Sequence, residues 1–118
     1  MVASYLGGCA IANSFVGVVH PFSAGLSVVL DTHHCIGNCI TMNAMEEFYP
    51  KEFEEFNLMA EKQGINIPKG IALNLEEEVY QKLYNSTFIH EKPLSNALGD
   101  NFKEILSYEK VKKIFKRM

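Results

Sequence analysis

His20 and His34 stand fourteen residues apart in the stretch GVVHPFSAGLSVVLDTHHCIGNC, which otherwise offers few reactive groups. Neutral imidazole is a common biological ligand for zinc and also suits ferrous iron. Two such ligands need not be close in sequence if two helices bring them together. The pair also has an ordinary reading, in which a histidine at a helix end hydrogen-bonds to backbone. Next to it, His33, His34, Cys35 and Cys39 form a local cluster, with the two thiols at i, i+4 on one helix face. Zinc uses donors of these types. The spacing fits no structural zinc pattern, however, and thiols on an apolar helix are usually core.

Other familiar chemistry is missing. Gly7-Gly8 lacks both the spacing of a phosphate-binding loop and a preceding strand. The basic tail of Lys110, Lys112, Lys113, Lys116 and Arg117 has no interleaved aromatic platform. It reads as cations complementing the end of a last helix, not as a nucleic-acid surface. Glu76-Glu77-Glu78 is likewise an acidic first helical turn.

The elements that must position the histidines are helical, because no strand alternation of any length occurs. Residues 2–19 are apolar and rich in small residues and predict a buried helix with a break at residues 13–17. Residues 18–30 form a second apolar piece, and Pro21 suits its first turn, so His20 falls at a helix start. Asp31-Thr32 is a turn or cap, and His33-His34 opens a helix over residues 35–48 that Tyr49-Pro50 ends. Residues 51–63 make an amphipathic helix with Phe53, Phe56, Met59 and Ala60 inward, closed by Gly64. Residues 66–73 are loop. Asn74 and Glu77 suggest a capping box for a helix with Leu75, Val79 and Leu83 inward. Residues 91–101, with Pro93 and Gly99, read as turns. Ser107 caps a last helix whose inner face is Val111, Ile114, Phe115 and Met118.

The 118 residues suit one domain. A net charge of −3 argues for neither nucleic acid nor anionic lipid. All eleven Lys and Arg lie at or beyond Lys51, and residues 1–30 carry no charged side chain. That uncharged front is long enough to cross a bilayer. Yet it lacks the basic start of a signal peptide and flanking cations, and Asn13, His20 and Pro21 dilute it. A helix buried in a larger protein explains it better. Three cysteines make no disulfide framework and point to a reducing, cytoplasmic setting.

Taken together, Gly8-Cys9-Ala10-Ile11-Ala12-Asn13, then Gly17-Val18-Val19-His20, then a His-His pair opening a helix, resemble the iron-containing (group III) alcohol dehydrogenase family. That family carries an "AGxAFSNAxLGxxH" helix followed by a "PHGxANAxxLP" helix start. The resemblance is strong over residues 6–39 and general beyond. Asn13 falls on the Asn of "FSN", His20 on the histidine closing the first motif, His34 on the His of "PHG" and Asn38 on the Asn of "ANA". Cys39 and the histidines look closest to the branch similar to octulosonate (Kdo) 8-oxidase, which acts on a sugar acid. Three positions depart from the pattern. Ala24 stands where many members have a second histidine, His33 replaces the Pro of "PHG", and Cys35 replaces its Gly.

The resemblance implies an all-α helical bundle, the C-terminal domain of a dehydroquinate synthase-like, iron-type alcohol dehydrogenase architecture. Residues 1–118 would be one helical metal-binding domain. The nucleotide-binding domain, the family's Asp ligand and a further His ligand would lie upstream. His20 and His34 would bind divalent metal (Fe2+ or Zn2+), and His33 would touch substrate or a ligand. NAD(P) would be held mainly by the other domain. The parent would oxidise or reduce a small-molecule alcohol, a polyol or sugar acid. The piece alone would bind metal weakly, turn nothing over, bind neither nucleic acid nor membrane, and form homo-oligomers through exposed apolar helices. The alternative is a small helical oligomerisation or scaffold module without catalysis.

Overall fold

The computed structural model describes residues 1–14 and 16–118, and for Asn13 the backbone only. Eight helices occur in this order: α1 Val2–Asn13, α2 Val19–Leu30, α3 His34–Met42, α4 Pro50–Lys62, α5 Glu77–Phe88, α6 Glu91–Leu98, α7 Phe102–Ile105 and α8 Tyr108–Phe115. No strand occurs among the described residues, so the fold is all-α.

The core is built on α2. Val18, Phe22 and Leu26 recur every fourth residue, lie on one face and are fully buried. That face packs on α5 and α3. At Gly25 the α2 backbone lies close to α5: a Cβ there would just touch the Leu83 carbonyl oxygen at 3.5 Å and the Thr87 hydroxyl at 3.4 Å. Gly37 of α3 lies as close to α2, where a Cβ would sit 3.5 Å from the Ser23 carbonyl oxygen. From the far side, α8 supplies Val111, Ile114 and Phe115, and the Phe115 ring meets Phe22 with centroids 5.1 Å apart. The chain end is tied in as well. Met118 is buried, and its carbonyl accepts the Ile71 amide at 3.1 Å.

Two short devices orient the ends of α2. At its start, the Tyr49 hydroxyl accepts the Val18 amide at 3.1 Å. At its end, Asp31 adopts a left-handed conformation (φ 51°), which turns the chain towards α3.

Several expectations are corrected. Every residue of α1 whose burial is described is exposed, Leu6 and Ile11 each to 60%, so within this chain the helix is not buried. The predicted break does follow Asn13, although Phe15 within it lies outside the described residues. The helix after His34 stops at Met42 instead of reaching residue 48, because residues 43–48 turn so that Tyr49 can reach Val18. Tyr49-Pro50 then begins α4, with Pro50 in its first turn. No capping box forms at Asn74. The helix starts at Glu77, since the Tyr80 hydroxyl donates to the Ala72 or Leu73 carbonyl and draws the preceding chain into a turn. Residues 91–98 are helical, and Pro93 is accommodated in the first turn, where its missing amide costs nothing. Met59 lies outward, 52% exposed, whereas Ala60 is buried as expected.

Candidate metal centre

His20 is the second residue of α2, and it is half-buried. Pro21 behind it is buried and holds the first turn, while the Ser23 hydroxyl donates to the His20 carbonyl at 3.0 Å. Gly17 makes room just upstream, because a Cβ there would sit 2.5 Å from the Tyr49 hydroxyl and push that ring aside. His34 opens α3 and is exposed. The α2–α3 packing brings the two rings together, their centroids 5.3 Å apart and their planes at 80°.

This separation can be tested against metal chemistry. A zinc-bound imidazole nitrogen lies at about 2.0–2.1 Å, which puts the ring centre about 3.2 Å from the ion, and two such rings at a tetrahedral angle have centres about 5.2 Å apart. The observed 5.3 Å fits. Protonation also fits. Burial, and then the charges of His34 and His90, hold the His20 pKa below 6.5, which favours the neutral ring that a metal needs. The two histidines therefore suit part of a coordination shell. Among the described residues no group of three or more His, Cys, Asp or Glu is already placed around one ion.

The pair opens onto a pocket of about 570 Å³, within the range of small-molecule sites. His20, His34 and Asn38 supply its polar lining, and Ile11, Val16 and Val19 its apolar lining. Asn38 lies one turn beyond His34 and so shares its face of α3. Ala24, one turn beyond His20, presents only a methyl group. The Asn13 side chain is outside the described residues.

His33 is the residue preceding α3, exposed, with an extended ψ of 131°. Cys35 and Cys39 are exposed instead of core. They line a separate apolar pocket of about 340 Å³ beside Ile65 and Pro68.

Sequence reasoning missed His90. It immediately precedes α6, is half-buried, and sets its ring against that of His20, with centroids 5.6 Å apart and planes at 72°. Nothing local marks it, as it stands seventy residues after His20 and only the packing of α2 on α5 and α6 joins them.

The architecture thus defines an all-helical domain with paired imidazoles at the ends of packed helices. No family model matches the chain. Two curated proteins are similar to it, each over 67 residues: the methanol:N,N-dimethyl-4-nitrosoaniline oxidoreductases of Mycobacterium sp. (strain DSM 3803 / JC1), 30% identical, and of Amycolatopsis methanolica, 31% identical. The match takes in 56% of this chain but spans only 16% of each relative's length. The distant relatives are thus oxidoreductases whose names give an alcohol as one substrate.

Proposed function

We propose that the chain contributes part of the divalent-metal site of an alcohol oxidoreductase, with His20 and His34 as ligands. The observation that carries this is the 5.3 Å separation of the two rings, close to that of two imidazoles on one ion. The oxidoreductase names of the two relatives support the reaction class. The resemblance over residues 6–39 supports Fe2+ or Zn2+ as the metal.

A bound cation would supply Lewis acidity, polarising a substrate hydroxyl and making its proton easier to lose. The protein's own part is to hold and orient. His20 and His34 fix the ion's place on two packed helices. Asn38 lines the same pocket and supplies a hydrogen-bonding group for the alcohol, and Ile11, Val16 and Val19 cover its carbon chain. His33, exposed and next to His34 in the chain, would contact an extended substrate such as a polyol or sugar acid. NAD(P), the hydride acceptor that the resemblance implies, is assigned to residues outside this chain. The three helix N-termini near the site carry partial positive charge. An anionic ligand from elsewhere, such as the Asp implied by the resemblance, would offset that charge.

Titration of the metal-free chain with Zn2+ tests the reading, with displacement of a chromophoric chelator as the readout. Weak one-to-one binding, lost in both His20→Ala and His34→Ala, is the expected result. No binding by the wild-type chain, or equal binding by the variants, would refute it.

A second reading, a helical oligomerisation or scaffold module, draws on the exposed apolar α1. It predicts self-association without any response to metal.

A further inference from the structure

We propose that His90 is a third imidazole ligand of this site, so that one chain offers a transition-metal ion nitrogen donors from α2, α3 and the start of α6. The proposal rests on the reading of His20 and His34 as ligands, and it adds a residue outside the resemblance.

Three observations carry it. The first is distance. By the same construction as above, a 5.6 Å separation of ring centres corresponds to about 120° at a shared ion, an ordinary angle for tetrahedral or five-coordinate zinc. The second is freedom. No hydrogen bond involves the His20, His34 or His90 ring among the described residues. His90 sits just ahead of α6 with non-helical backbone (φ −94°, ψ 58°), so its ring is not confined by a helical turn. The carboxylate beside it is engaged elsewhere, as Glu91 pairs with Lys103 at 2.7 Å. The third is chemistry. Three half-buried or exposed imidazoles gather at the starts of three helices, with the His20 ring against both of the others. Imidazole nitrogen is a donor that late first-row divalent ions prefer.

No three donors surround a single point yet, so ligation requires the His90 ring to turn about its side-chain bonds.

The test is Co2+ and Zn2+ binding by the 118-residue chain, followed by cobalt visible absorption and chelator competition. The variants are His90→Ala, His90→Gln, His20→Ala and, as a control on the exposed side, His33→Ala. His90→Ala and His90→Gln should each weaken binding roughly tenfold or more, since even an outer-shell loss costs that much. Both should change the cobalt spectrum, with helical circular dichroism unchanged. Added free imidazole should restore the spectrum of His90→Ala, which a purely structural role would not allow. If His90→Ala and His90→Gln match the wild type while His20→Ala loses the metal, His90 is not a ligand and the two-histidine reading stands. If the wild-type chain binds neither ion, both fall together.

Discussion

Burial of His20, reinforced by the neighbouring imidazoles of His34 and His90, makes its protonation costlier in the folded chain than in the unfolded one. The sign of the effect on stability follows from proton uptake. Below pH 6.5 the unfolded chain binds a proton at His20 that the folded chain resists. Stability is therefore fully present above that pH and is lost as pH falls towards the folded pKa. The metal-free chain should show a thermal midpoint that declines as the pH falls below 6.5, and His20→Asn should flatten part of that decline. A variant with the wild-type slope would show that His20 is not the group responsible. At this scale the sequence singled out His20 and His34, whose rings the structure brings together, because their spacing is local and the motifs around them are contiguous. It did not reveal His90, whose meaning depends on the folding of α5 and α6 over α2. The thiols misled for a related reason. Cys35 and Cys39 share a helical face, but that face of α3 points away from the core.

Two glycines in α2 and its approach differ in what they permit. A methyl group at Gly25 would meet its nearest neighbours at 3.4–3.5 Å, which is ordinary contact. Gly25→Ala should therefore be tolerated and gain up to about 1 kcal/mol from better helix propensity. At Gly17 the same methyl would collide with the Tyr49 hydroxyl, displacing it from the Val18 amide. Gly17→Ala should cost about 1–2 kcal/mol, the price of an unpaired donor and a shifted ring. Urea unfolding of both variants checks the contrast, and opposite signs are the result that matters. Helix boundaries were readable where the determinant was local, as with Gly64 at φ +65° closing α4 or the inward stripe of α8. They were not readable where a distant side chain set them. Tyr80 fixes the start of α5 through the carbonyls of Ala72 and Leu73, and Tyr49 ties residues 43–49 back to α2. In α6, Pro93 looked like a breaker although its position in the first turn makes it harmless.

Across the whole molecule, the imbalance lies in α1. It is apolar around its full circumference and exposed along its length, whereas the other seven helices share one core. Such a helix gains stability only from a partner on several sides, because water offers its apolar side chains nothing. One candidate partner is a second copy of the chain, and the other is further polypeptide. These give different outcomes. Light scattering should show the 118-residue chain associating as concentration rises, and a variant lacking residues 1–13 should stay monomeric. Its stability should change by no more than about 0.5 kcal/mol, since exposed residues contribute little. The second candidate is favoured by the relatives, of whose length the match covers only 16%. It is tested by the DNA ahead of the Met1 codon. Reading in frame into a glycine-rich nucleotide-binding region, with an Asp and a His a few residues apart, would supply a cover for α1 and, under the proposed metal site, further donors beside His20 and His34. A stop codon and a ribosome site there would remove that source of ligands, and the scaffold reading would then account better for the exposed helix.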